Sequence, residues 1–93
     1  MRRAILPSSA FLRAARRLVK RKPEHAPQIA AALEALVEDA FQPKMKTHKL
    51  KGELKDSWAC SLGYDLRIVF QIVVRDGSEA ILLQTFGTHD EVY

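Results

Sequence analysis

The chain predicts an α+β fold ordered β-α-α-β-β-β, in which a helical hairpin packs on one face of a small, largely antiparallel sheet. Three observations lead there. Apolar residues recur at helical spacing as far as Ala40, and from Leu66 onward they alternate. Between two alternating runs stands Asp76-Gly77, a pair suited to a tight hairpin.

Each element has its own signal. "RRAIL", Arg2 to Leu6, can add a strand at the start. Ser8 or Ser9 can cap a helix that follows Pro7. Phe11, Ala15 and Leu18, with Ala14 and Val19 beside them, form its apolar stripe, and Pro23 ends it near "KRKP". A second helix carries Ile29, Ala32, Leu33, Leu36, Val37 and Ala40 on one face. Pro27 is tolerable only in its first turn, which starts it at about Glu24 to Ala26, and Pro43 closes it. "SWACSL" reads as the first strand of the second half, "DLRIVFQIVV" as the central strand and "EAILLQTF" as the returning one. Leu66, Ile68, Phe70, Ile72 and Val74 then share one sheet face, and the uncovered face presents Arg67 and Gln71.

Composition narrows the function. The 93 residues make one domain, 1–93, with 47% apolar residues, enough for a core. One cysteine, Cys60, permits no intramolecular disulfide, and no Cys/His cluster has the spacing of a zinc site. No metal or cofactor is expected. A reducing cytoplasm fits, because the basic start is interrupted by Pro7, Ser8, Ser9 and Arg13, unlike an export signal. No apolar run approaches the roughly 20 residues of a membrane span. The net charge of +4 is unevenly placed. The first 22 residues hold eight basic groups and no acid, and "PKMKTHKLK" holds four lysines and no acid. Two such blocks point to a polyanionic partner (RNA, DNA or an acidic protein segment), against the plainer reading of a solvated helix face and a lysine-rich loop.

Few side chains can carry proton chemistry. His25, beside Glu24 and Pro27, reads as a surface residue. His48 lies among lysines that would lower its pKa, which suits a base neutral at pH 7; the alternative is a solvated loop histidine. Counting from the Asp76-Gly77 turn places residue 65 near residue 88, so Asp65, Arg67 and His89 should converge. The plainer reading of Arg67, the less favoured of the two, is an ion pair with Asp65, Asp90 or Glu91. Tyr93 could stack on a base or fold back to seal the sheet edge. Trp58 reads as core or rim packing, and Cys60 has no histidine near it in sequence to make it a nucleophile.

"THKLKGELKDSWACSLGYDLRIVFQI" followed by "ILLQTFGTHDEVY" resembles the RelE/ParE toxin superfamily of type II toxin–antitoxin systems, closest to its YafQ-like mRNA interferase branch. The motifs that carry it are His48-Lys49-Leu50-Lys51-Gly52, Asp65 at the central strand and Gly87-Thr88-His89, with Tyr93 where the branch has Phe. The β-α-α-β-β-β order agrees with the RelE-like fold over the whole chain. The resemblance implies a cytoplasmic, ribosome-dependent mRNA endoribonuclease, in which the 2′-hydroxyl attacks the adjacent phosphate without metal. It implies His48 as base or phosphate-orienting residue, His89 as general acid, and Asp65 as a proton-sharing or positioning group. Arg67 would steady the phosphate, Tyr93 would pack on the base, and Lys44, Lys46, Lys49 and Lys51 would hold the RNA backbone. The implied partners are a cognate antitoxin, in a toxin–antitoxin hetero-oligomer, and the ribosome with its mRNA. One departure stands out: the branch has a further histidine about where Cys60 or Ser61 stands here. Its loss would weaken activity, shift the work to Arg67 or abolish it. The competing expectations are a ParE-like DNA gyrase inhibitor and a catalytically decayed module that still binds the antitoxin.

Overall fold

The computed structural model describes residues 3–52, 56–62 and 66–88, with backbone alone at Leu62 and Thr88. Its elements follow the expected order, with one strand more: β1 (Ala4–Pro7), α1 (Ser9–Arg21), α2 (Ala26–Glu38), β2 (His48–Lys49), β3 (Trp58–Leu62), β4 (Leu66–Arg75) and β5 (Ser78–Thr88). The sheet runs β1-β5-β4-β3-β2. β1 lies parallel to β5, and every other pairing is antiparallel. The expected architecture, a helical hairpin on a mostly antiparallel sheet, is what the chain forms. The first strand begins later than "RRAIL" suggests, because the Arg3 amide donates to the Val37 carbonyl at 3.0 Å instead of joining the sheet.

Ser8 is the cap of α1. Its backbone is extended (φ −77°, ψ 164°), and its hydroxyl accepts from the Phe11 amide at 3.0 Å. α1 ends at Arg21 ahead of Pro23, and Lys20 and Arg21 in its last turn suit the negative end of the helix dipole. A 3-10 turn, Pro23–His25, reverses the chain, and α2 begins with Pro27 in its first turn. α2 stops at Glu38, several residues before Pro43, with Asp39 extended at its end.

The helices cover one face of the sheet. Phe11 from α1 and Ile29, Ala32 and Leu36 from α2 bury against Cys60, Leu66, Ile68, Phe70, Ile81, Leu83 and Phe86. Phe11 meets Phe86 edge to face, with ring centroids 5.9 Å apart. The opposite face has a small second cluster of Leu50, Ala59 and Val69. Leu50 comes from the chain after β2, so the face expected to lie uncovered is partly roofed. Arg67 and Gln71 are half-buried on that face.

β4 and β5 join through Asp76 (φ 52°) and Gly77 (φ 79°), both left-handed as a two-residue type I′ turn requires. From that turn the pairs run regularly from Arg75↔Ser78 to Phe70↔Leu83. A bulge follows: Val69 faces Thr85, so Gln84 is an extra residue on β5. Thr88 therefore faces Leu66, one residue away from the partner that an unbroken ladder would give it. The Ser8 hydroxyl donates to the Gln84 carbonyl at 2.8 Å, and the Ser57 hydroxyl donates to Gln84 Oε1 at 2.6 Å.

Replacing Ser8 separates its two bonds. Ser8→Ala removes the cap and leaves the Gln84 carbonyl without its donor, lowering unfolding free energy by about 2 kcal/mol. Ser8→Asp keeps the cap acceptor and should recover about half of that. Urea unfolding followed by Trp58 fluorescence measures both; full recovery in Ser8→Asp would show that the bond to Gln84 contributes nothing, and equal losses in the two variants that the cap does not.

Candidate active site

Strand alternation and register decide which side chains share the face away from the helices. His48 pairs with Ala59, Ala59 with Val69, and Val69 with Thr85. Since Ala59 and Val69 belong to the cluster on that face, His48 stands at the end of the same row. The next row is Ser61, Arg67 and Gly87. His48 and Arg67 thus share one surface, two strand spacings and one two-residue step apart, or about 12 Å between their Cα atoms.

His48 owes its position to the two-residue strand β2, an element that hydrophobic periodicity is too short to reveal. The segment leading to it is pinned from below: Met45 is buried, the Thr47 hydroxyl donates to the Ala40 carbonyl, and the Leu50 amide donates to the Ser57 carbonyl at 2.9 Å. Lys46, left-handed at φ 51°, closes the 3-10 turn Pro43–Met45. Its carbonyl lies 3.1 Å from His48 Nδ1. A carbonyl can only accept, so Nδ1 carries the proton, and in the neutral ring Nε2 is the acceptor nitrogen. That is the tautomer a base working through Nε2 needs.

Arg67 is half-buried, and its Nη1 donates to the Leu66 carbonyl at 2.9 Å, which fixes part of the guanidinium fork. Gly87, opposite it on β5, contributes no side chain to that row. Ser61 flanks Arg67 on β3. Cys60 faces the other way into the helix-side core, fully buried, and its thiol is pushed up to about 12. Burial is the main cause; a backbone hydrogen bond from Ile68 and the charge of Arg67 pull in the opposite direction. A thiol of that kind is neither nucleophile nor proton carrier at neutral pH. Of the two positions where a further histidine was expected, Ser61 is therefore the one on Arg67's face.

Lys44, Lys46, Lys49 and Lys51 are all exposed around His48. They do not all face one way. Lys49 pairs with Trp58 and holds its Nζ 5.7 Å from the centre of that ring, on the side opposite His48. Trp58 in turn meets Phe41 edge to face at 4.8 Å, and Arg3 lies over Phe41. His25 is a surface residue bonded to Gln28 within the helical hairpin. On the helix side, Arg17 and Arg21 of α1 line a cavity of about 30 Å³ with Leu66, Phe86 and Gly87, so cationic groups border the end of β5 on both faces. Asp65, His89 and Tyr93 lie outside the described residues. Among the described residues no cluster of His, Cys, Asp and Glu could hold a metal, and no helix is long and apolar enough to cross a membrane.

Besides β2, the bulge is a feature that sequence reasoning missed. Its signal was present: Ile81 and Leu83 alternate, and then Phe86 follows three residues later, which an unbroken strand cannot place on the same face.

Over residues 3–93 the chain matches the family model described as bacterial toxin of type II toxin-antitoxin system, YafQ. Among solved structures it is similar to a metal-bound toxin from Helicobacter pylori, at 31% identity, with all of both chains covered and a TM-score of 0.73. It is also similar to the E. coli DinJ–YafQ complex at 17% identity, with 98% of each chain covered and a TM-score of 0.77. The YoeB/ParE toxin from Agrobacterium tumefaciens shares 12% identity over 92% of this chain and 98% of its own, with a TM-score of 0.76. The search of curated proteins found no match.

The state of Cys60 has two measurable results. At pH 8 an aromatic disulfide reagent should modify it about a thousandfold more slowly in the folded protein than in urea, from thiolate fraction alone. Above pH 9.0 the unfolded thiol loses its proton while the folded one keeps it to about 12, so stability should fall across that window. A Cys60→Ser variant with the same alkaline slope would assign the loss elsewhere.

Proposed function

The chain belongs to the YafQ family of type II toxin–antitoxin toxins, and we propose that it is a ribosome-dependent endoribonuclease that cuts mRNA by attack of a 2′-hydroxyl on the adjacent phosphate. The observation that carries this reading is the shared face of His48 and Arg67, with His48 Nδ1 protonated toward the Lys46 carbonyl. A nucleotide lying between the two rows could be reached by both long side chains. His48 Nε2 accepts the 2′-hydroxyl proton, and the 2′-oxygen forms its bond to phosphorus. Arg67 offers its remaining N–H groups to the phosphate oxygens as negative charge builds. The bond from phosphorus to the 5′-oxygen breaks, and His89 supplies the proton that the leaving oxygen takes. The products are a 2′,3′-cyclic phosphate and a 5′-hydroxyl. Asp65 is assigned to orienting a histidine, and Tyr93 to stacking on the base.

The Ser61 hydroxyl neither gives up nor takes on a proton at neutral pH, so the chemistry has one imidazole fewer than the resemblance implies. Arg67, beside it, takes over charge stabilisation. Lys44, Lys46 and Lys51 are assigned to the RNA backbone, together with Lys49 at the edge of the same block. The partner that holds this toxin in check is a cognate antitoxin, as DinJ is found with YafQ in the E. coli complexes. The working compartment is the cytoplasm, where ribosomes translate the mRNA.

Cell-free translation with purified protein and mapping of mRNA 5′ ends tests the assignment. Cuts within translated codons should appear only with ribosomes. His48→Gln and His89→Ala should each slow cleavage by about 10²–10⁴-fold, and His89→Ala should lose growth arrest while retaining the fold. Intact mRNA under active translation would overturn the nuclease reading; supercoiling assayed with purified gyrase would then test inhibition of that enzyme. Removing two of the four lysines should flatten the dependence of RNA affinity on log salt by about 1.4, and an unchanged slope would take them out of the interface.

A further inference from the structure

What stands opposite Arg67 is decided by one residue of β5. Ile81 and Leu83 lie in the helix-side core, and so does Phe86. Counted outward from the Asp76-Gly77 turn, an unbroken ladder continuing past Phe70↔Leu83 would set Gln84 against Val69 and Phe86 against Arg67. Phe86 would then sit on the face away from the helices, its ring beside the guanidinium, and the core would lose its partner for Phe11. The structure has Thr85 against Val69 and Gly87 against Arg67. The extra residue, Gln84, exchanges a phenylalanine for a glycine at that position.

Gln84 is latched from two directions. Its carbonyl receives the hydroxyl of Ser8, a residue between β1 and α1, whose own amide donates to the Leu83 carbonyl at 2.9 Å. Its side-chain Oε1 receives the hydroxyl of Ser57, which is 2% exposed and immediately precedes β3. β3 borders β4, not β5, so the Gln84 side chain reaches across the central strand to make that bond. A bulge tied to both neighbours of its own strand pair cannot migrate along β5 without breaking two part-buried hydrogen bonds, one of them to the buried Ser57.

We propose that Gln84 is a positioning residue of the open-face site: by holding the β5 bulge it keeps Gly87, and not Phe86, across from Arg67, and so keeps the space beside the guanidinium open to a phosphate group. The proposal rests on the reading of Arg67 as a phosphate-binding residue. Gln84 itself touches no substrate in this scheme. It acts through register, and a side chain that accepts from Ser57 is what the role requires.

The variants follow from that requirement. Gln84→Met keeps the length and loses the acceptor, Gln84→Glu keeps the acceptor, and Ser57→Ala removes the donor from the other side. NMR on isotope-labelled protein reads the register directly through cross-strand contacts between Arg67 and Gly87. Titration with a 2′-O-methyl tetranucleotide, which cannot be cleaved, reads the Arg67 guanidinium signal. Gln84→Met and Ser57→Ala should weaken the Arg67–Gly87 contacts, and tetranucleotide binding should fall about fivefold. Gln84→Glu should stay within about twofold of the wild type. Thermal midpoints identify any variant that is unfolded, and Ser57→Ala stands in for Gln84→Met if the latter is. Unchanged contacts and affinity in both acceptor-less and donor-less variants would overturn the proposal. If the wild type binds the tetranucleotide no differently from Arg67→Ala, the phosphate reading of Arg67 fails by itself. The cross-strand contacts then still decide whether Gln84 sets the register.

Discussion

One serine hydroxyl ties the two halves of this fold together. Ser8 accepts from the first turn of α1 and donates to the bulged carbonyl of β5, so a single group starts the helix and fixes the irregularity in the sheet. A hydroxyl can do both because it has one proton and two lone pairs; a carboxylate or an amide nitrogen could do one. The helix must begin there for Phe11 to reach Phe86, and Phe86 must have crossed to the helix side for the bulge to be worth forming. The geometry of the core and that of the open face are thus one constraint seen from two sides.

The open face assembles its chemistry from parts with little in common. A two-residue strand delivers an imidazole with a defined tautomer, a long central strand delivers a guanidinium already held by one backbone bond, and the returning strand delivers the absence of a side chain. Around them lies a lysine block anchored by Met45 and Leu50, whose burial lets a charged segment hold still beside water. Cys60 and Ser61 are adjacent in sequence and opposite in consequence. One fills the core as a protonated thiol; the other stands beside Arg67 and leaves it the dominant polar group of its row.

Much of the architecture was legible because periodicity and punctuation agree. The stripes of α1 and α2, the Pro23 and Asp76-Gly77 breaks and the alternation of β4 each follow from local sequence, and each formed as expected. β2 was not legible, since two residues, His48 and Lys49, have no period; their pairing depends on Trp58 and Ala59 arriving from elsewhere. Pro43 misled about where α2 ends, because a proline forbids continuation without requiring that a helix reach it. Of the site, the face of Arg67 could be read from parity along one strand. Its neighbours could not, because they depend on register across strands, which the bulge shifts by one. The family resemblance supplied roles for His48, Asp65, Arg67, His89 and Tyr93; the structure adds that His48 shares the face of Arg67.

The pairing of β1 with β5 also governs the order in which the molecule can come into being. Ala4 lies beside Ala80, so the first strand closes a loop of most of the chain and has no neighbour until that late segment exists. Helices can form within their own short stretches, and the β4–β5 hairpin within its own, but the parallel contact must wait for both. A chain emerging from a ribosome therefore carries Ser8 past the exit long before Gln84 can meet it. The β1 edge of the sheet and the Ser8 bond to Gln84 can thus form only after β5 has been made.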